Sequence, residues 1–317
     1  MRVVSAEEVA AVLPWKALVD RLGKTFRQGV ESPPRHHHTI HRPDGDAVML
    51  LMPAWEPAGY VGIKMVHVYP QNAAKGLPAI SGVYLLCDGA NGQPLACIDG
   101  KELTRRRTAA ASALAATLLA REDASSLLVV GTGSLAPMLI EAHAAVRPIR
   151  QVRVWGRNLG KAHALAERYA GYRGGLTPIE SAAAADDLAA ATAGAQIVSC
   201  ATLSQEPIIH GEWLALGAHL DLVGAFRPDM RESDGECIRR GEVFVDTYAG
   251  ARGEAGDLLR AEAEGAFQFD DIRADLAELL RAERPGRTAP EAVTVFKSVG
   301  ASLEDLAAAV EVWERLA

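Results

Sequence analysis

The sequence predicts an α/β chain of two domains: an α+β domain over residues 1–124, rejoined by a C-terminal helix over 290–317, and a doubly wound parallel sheet over 125–289. Three observations predict it. At 317 residues the chain is longer than one hydrophobic core usually serves. Short β-rich runs fill its first third, whereas beyond Ser125 apolar runs alternate with helical stretches, the rhythm of a parallel sheet with crossover helices. The first of those later runs, Leu127-Leu128-Val129-Val130, enters a glycine turn that opens a helix.

Taken in order, Ser5 with Glu8 three positions on forms a capping-box pattern, and apolar residues at helical spacing extend that helix to about Phe26, before Pro33-Pro34. Runs at Ala47–Met52, Val61–Val68 and Ile80–Cys87 follow, separated by turn signals such as Pro43-Asp44-Gly45-Asp46 and Asp88-Gly89-Ala90-Asn91-Gly92. They read as a mostly antiparallel sheet. An alanine-rich helix runs from about Gly100 to Arg121. Past Ser125 come strands at Leu127–Val130, Val152–Trp155, Gln196–Ser199, His219–Val223 and Val243–Val245, joined by helices, with the alanine-rich stretch Ser181–Ala195 read as one of them. The final segment is helical through Leu303, Leu306, Ala307, Val310 and Trp313, with Ser302 in the capping position.

Composition narrows the partners. Hydrophobic residues at 49% and charged residues at 23% are globular proportions. A net charge of -7, with no basic cluster stronger than Arg105-Arg106-Arg107, argues against a nucleic-acid surface. Cys87, Cys97, Cys200 and Cys237 are scattered without CxxC spacing, so neither a disulfide framework nor a zinc site is expected, and a reduced, cytoplasmic setting is. The amino terminus lacks the basic-then-apolar order of a secretion signal, and no apolar run nears the roughly 20 residues that span a bilayer. No membrane association is expected.

Gly131-Thr132-Gly133-Ser134-Leu135-Ala136 follows a strand and opens a helix, the context in which G-x-G-x-x-A marks a Rossmann-type dinucleotide site. Gly131 permits the tight turn, Gly133 lets backbone approach a pyrophosphate, Ala136 allows close helix packing, and the helix-start amides receive the negative charge. A tight β-to-α turn without a ligand is the alternative. Gly131, Thr132, Gly133, Ser134 and Thr202 are thus expected at the coenzyme. After the second strand, where an NAD-preferring domain places a carboxylate, the chain reads Trp155-Gly156-Arg157-Asn158. The missing carboxylate removes repulsion toward a 2′-phosphate and Arg157 can pair with one, so NADP(H) is the favoured coenzyme, with NAD(H) left open. Arg157 and Asn158 join the coenzyme set.

Further blocks stand in order along nearly the whole chain: Pro34-Arg35, Leu51-Met52-Pro53-Ala54, Gly62-Ile63-Lys64, Arg107-Thr108-Ala109-Ala110, Val223-Gly224-Ala225, Arg227-Pro228-Asp229-Met230-Arg231-Glu232 and Phe296-Lys297-Ser298-Val299-Gly300. With the glycine turn they resemble the ornithine cyclodeaminase/μ-crystallin family. The resemblance implies a homodimer built on the first domain, making that domain the substrate-binding and dimerisation domain. It also implies that Arg35 and Arg107 hold a substrate carboxylate, with Lys64 beside the reacting carbon as the group that moves a proton. Guanidinium forks suit a carboxylate, and burial in the apolar strand Val61–Val68 would depress the pKa of Lys64. A structural ion pair is the alternative for each cation. Family order also puts His67 and Ser81 near the cleft, Ser81 as a substrate contact or a satisfied polar group. Ser298 is assigned to the nicotinamide side.

The departures carry as much information. The resemblance implies that a cyclodeaminase of the family would place a glutamate just before the Met-Pro step and an aspartate shortly after the Val-Gly pair; this chain departs from that pattern with Leu50 and Phe226, neither able to move a proton. Phe226 becomes a pocket-shaping residue instead. The pattern resembles the μ-crystallin and cyclic-imine reductase branch, which implies reduction of a small cyclic ketimine carboxylate such as Δ1-pyrroline-2-carboxylate. An ornithine cyclodeaminase, an amino-acid dehydrogenase, or a non-catalytic protein that binds NADP(H) or a small ligand are the alternatives. His36-His37-His38 is read as no metal site, because neighbours on a strand point to opposite faces. Asp229, Arg231 and Glu232 are expected to form a structural turn and ion-pair network.

Overall fold

The computed structural model describes residues 1–57 and 59–317. They form two compact units, residues 1–107 with 301–317, and residues 108–300.

The first unit is built on a six-stranded sheet of β1 (Arg2–Val4), β2 (His36–Ile40), β3 (Ala47–Trp55), β4 (Tyr60–Val68), β5 (Ile80–Asp88) and β6 (Pro94–Asp99), in the order β1-β6-β5-β4-β3-β2. All pairs are antiparallel except β1 with β6. The expected single opening helix is two, α1 (Ala6–Val12) and α2 (Trp15–Gln28), because Pro14 cannot donate to the ladder and interrupts it. Ser5 and Glu8 do form the capping box. Helix α2 and the C-terminal helix Ser302–Leu316 pack together, and the latter lies on β3, β4 and β5. Met52, Ala54, Tyr84, Leu86, Leu306 and Val310 are buried in that core.

The second unit carries a parallel eight-stranded sheet of β7 (Ser126–Val130), β8 (Gln151–Trp155), β9 (Ser181–Ala184), β10 (Ile197–Cys200), β11 (His219–Leu222), β12 (Glu242–Val245), β13 (Ala274–Asp275) and β14 (Thr294–Lys297). Its order, β13-β12-β14-β11-β10-β7-β8-β9, runs outward in both directions from β7 and is doubly wound. Both faces are covered: Leu128 and Val130 belong to one buried cluster, Leu127 and Val129 to another.

Four more expectations are corrected. The stretch Ser181–Ala195 is a strand, β9, followed by a helix at Leu188–Ala193, because Asp187 caps the helix there and frees the first alanines to pair with β8. Residues 290–301 are not helical: β14 sits between β11 and β12, so the second unit extends to Gly300. At its start this unit takes the later part of helix α3 (Gly100–Leu119), which places the boundary at 107/108 rather than 124/125. Ser302 is the first helical residue and makes no cap; Ala301 is the N-cap, and the Ser302 hydroxyl meets that of Ser32 at 2.5 Å.

Candidate functional site

In the first unit, β4 brings Lys64 into register with Met52 on β3 and Tyr84 on β5, so the three share the inner face of the sheet. Lys64 is 3% exposed and its Nζ lies 2.7 Å from Asp305 Oδ2. From α3, Arg107 donates Nε to Asp305 Oδ1 at 2.9 Å and Nη1 to Glu304 at 2.7 Å. Both carboxylates stand in the first turn of the C-terminal helix and are fully buried, where acids also favour the helix dipole. Burial pulls Lys64 from 10.5 down to about 8, with Asp305 opposing the fall and Arg107 and Arg35 deepening it. Burial works to raise Asp305, yet Arg107 and Lys64 together hold it below the ordinary carboxylate value. Arg107 is pushed above its usual value, burial being outweighed by Asp305 and Glu304.

Lys64, Arg107 and Arg35 are therefore brought into one electrostatic neighbourhood. Ser81 is not: it pairs with His67, on the sheet face opposite Lys64, and is exposed. Leu50 is on the Lys64 face, paired with Val66, and presents an aliphatic side chain there. Sequence reading missed Asp305, Glu304 and Tyr84. Tyr84 is fully buried, its hydroxyl without a hydrogen-bond partner among the described residues and, through burial first and Asp305 second, strongly disinclined to ionise. Two adjacent acids inside the otherwise apolar run Leu303–Val310 were the available signal.

In the second unit a cleft of about 790 Å³ opens beyond the carboxyl ends of β7, β8 and β10, where the strand order reverses. Gly131, Thr132, Gly133, Arg157, Asn158 and Thr202 are among its lining residues. Gly131 has φ +125°, and a Cβ there would lie 2.7 Å from the Ala201 carbonyl oxygen. At Gly133 a Cβ would meet nothing within 4 Å, so the space beside that backbone is left to a ligand. The helix beginning at Ala136 turns the positive end of its dipole toward this turn, although Ala136 N already donates to Gly133 O at 3.2 Å and Pro137 has no amide hydrogen to offer. These features fit a dinucleotide pyrophosphate. Arg157 is exposed on the cleft, while Asn158 caps the helix Leu159–Glu167 by accepting from Lys161 N at 3.0 Å. Ser134 is exposed in the turn.

Ser298 is buried, its hydroxyl donating to Asp246 Oδ2 at 3.0 Å, and the amides of Val299 and Gly300 donate to the same oxygen at 2.8 and 2.7 Å. Phe226 is 40% exposed in the loop after β11. The turn and ion-pair network expected of the 227–232 block is present: Arg227 pairs with Asp229, Arg231 with Glu264, and Glu232 accepts from backbone amides. His36 and His38 share a face, ring centroids 6.4 Å apart; among the described residues no group of three His, Cys, Asp or Glu side chains is placed to hold a metal. Among those residues no helix is long and apolar enough to cross a membrane.

A doubly wound sheet with a dinucleotide turn, together with an α+β unit that buries a lysine and an arginine against two acids, defines a two-unit NAD(P)-dependent oxidoreductase. The chain belongs to the ornithine cyclodeaminase/mu-crystallin family, whose model matches residues 2–317. It is 36% identical over 320 residues to a Δ1-pyrroline-2-carboxylate reductase of Colwellia psychrerythraea, covering 100% of both chains. A solved Δ1-pyrroline-2-carboxylate reductase of Thermococcus litoralis, in complex with NADH and L-proline, superposes with a TM-score of 0.90 at 30% identity, covering 99% of this chain and 97% of that one. An archaeal alanine dehydrogenase dimer with bound NAD superposes with a TM-score of 0.87 at 27% identity, covering 99% and 95%.

Proposed function

We propose that the protein is an NAD(P)H-dependent reductase of small cyclic imine carboxylates such as Δ1-pyrroline-2-carboxylate. The observation that carries the reading is Lys64: a buried ammonium poised near neutral pH, with aliphatic Leu50 where a second proton carrier would be needed for deamination. Full-length similarity to reductases of that substrate supports it. When bound, the coenzyme supplies a hydride to the carbon of the C=N bond. Lys64 gives a proton to the ring nitrogen, so that bond becomes an amine. Arg35 and the Nη2 edge of Arg107 take the substrate carboxylate, because Nε and Nη1 of Arg107 are already committed to Asp305 and Glu304. Gly131, Thr132, Gly133 and Thr202 hold the coenzyme, with Ser134 and Ser298 as further contacts. Arg157, in a cleft rim lacking a carboxylate between Trp155 and Asn158, favours NADP(H).

Two copies of the chain assemble through the outer face of the first sheet, where Met49, Leu51, Ile63, Met65 and Leu85 remain partly exposed. The free thiols of Cys87 and Cys97 accord with a cytoplasmic setting. Incubation with Δ1-pyrroline-2-carboxylate and either NADPH or NADH is expected to consume coenzyme and form proline, faster at low coenzyme with NADPH. Ammonia release from ornithine with NAD+, without imine reduction, would overturn the reading. Coenzyme binding with no turnover of any cyclic imine would point to a non-catalytic protein.

A further inference from the structure

One buried carboxylate stitches the floor of the coenzyme cleft together. Glu232 is fully buried, and its Oε1 accepts from Thr202 N at 2.6 Å and from Thr202 Oγ1 at 2.8 Å. Its Oε2 accepts from Gly224 N at 2.6 Å. Thr202 follows β10 and Gly224 follows β11, neighbouring strands, so one side chain fixes two adjacent loops at the carboxyl edge of the sheet. The backbones are pressed together: a Cβ on Gly224 would lie 2.1 Å from Thr202 O and 2.4 Å from Glu232 Oε1. The same loop continues to the glycine turn, since Ala201 O is the atom that a Cβ on Gly131 would meet. A chain of tight contacts therefore runs from Glu232 through Thr202 and Ala201 to the turn assigned to the pyrophosphate.

Glu232 is anchored in turn. Asp257 Oδ1 accepts from the amides of Glu232 and Ser233 at 2.8 and 2.9 Å, and Asp257 Oδ2 lies 3.0 Å from Nζ of buried Lys297.

We propose that Glu232 is a positioning residue for the coenzyme: its ionised carboxylate sets the Thr202 loop against the turn at Gly131, and coenzyme affinity follows the charge on that carboxylate. The inference rests on the reading of the cleft as the coenzyme site. Three hydrogen bonds converge on two acceptor oxygens, and a protonated or amidated group must present a donor where one of these amides already donates. Burial pushes Glu232 up to about 7, with Lys297 on β14 opposing and Asp257 on the helix Gly256–Ala263 adding to the rise. Cys200, at the end of β10, also faces it, but burial drives that thiol well above its ordinary value and it stays neutral. The group's protonation therefore falls near neutral pH, and lowering the pH removes the acceptor.

The test is equilibrium binding of NADH, which carries no group titrating near neutrality, to the full chain and to Glu232→Gln between about pH 6 and 8. The wild-type Kd is expected to rise about tenfold as pH falls across that range, whereas Glu232→Gln binds about tenfold more weakly at the upper end and shows no pH dependence. A flat wild-type profile, or a variant that changes thermal stability but not Kd, overturns the proposal. Should Glu232→Gln fail to fold, the wild-type profile and Thr202→Val, which deletes one donor to the same oxygen, decide it. If neither NADH nor NADPH binds at any pH, the coenzyme reading itself falls and this inference goes with it.

Discussion

Lys64 sits between two opposing influences, desolvation, the stronger, that strips its proton and Asp305 that restores it. If the ammonium donates the proton, activity must fall as pH rises through about 8, because the depressed group is charged only below that value. Asp305→Asn removes the restoring charge, and an opposite charge at this distance is worth about 1–3 pK units. The alkaline limb of kcat/KM for imine reduction is thus expected to move to lower pH in Asp305→Asn, with activity partly recovered in acid; a uniform loss with the limb unmoved would deny the residue this role. At this scale the chain gave up only part of the site. Arg35, Lys64 and Arg107 are legible because they stand in blocks of a recognisable pattern. Glu304 and Asp305 are not, because nothing local ties the first turn of the last helix to strand β4. Ser81 shows the limit of order along the chain: a single step of register moves a side chain to the other face.

Among elements, the glycine turn was the most legible, since strand, turn and helix lie within one short segment and each part has its own local signal. Its two glycines are predicted to behave differently. Gly131→Ala meets both an unfavourable φ and the Ala201 carbonyl, so it should cost about 1–3 kcal/mol of stability as well as coenzyme affinity. Gly133→Ala meets no protein atom and should leave the thermal midpoint unchanged or slightly raised while weakening NADPH binding; equal losses of stability in the two variants would contradict this. Strand β9 was illegible for the converse reason. Alanine favours a helix by intrinsic propensity, and only pairing with β8 overrides it. Strand β14 was legible only as an apolar run before Ser298, its place between β11 and β12 being set by partners far away in sequence.

For the whole molecule, the alternation of β3, β4 and β5 sends Met52, Lys64 and Tyr84 inward, beneath the C-terminal helix, and Leu51, Met65 and Val83 outward, where they are partly exposed, so both faces of the sheet are hydrophobic in character. Light scattering is expected to report twice the mass of one chain, and Met65→Glu, which places a charge in the centre of the outer face, to yield a monomer with unchanged circular dichroism. A wild-type monomer at micromolar concentration would remove the assembly from the reading.

The first unit is interrupted in sequence: its strands are complete by Asp99, but Glu304 and Asp305 arrive after the whole of residues 108–300. During synthesis the β4 lysine and the α3 arginine therefore emerge long before the acids that neutralise them, and a core that closed early would trap two bare cations. The uninterrupted second unit has no such debt and is free to fold while the ribosome is still at work. The arrangement in which Lys64 and Arg107 are buried and neutralised therefore requires the helix Ser302–Leu316 to have docked, so the first unit cannot reach its native core from its amino-terminal part alone.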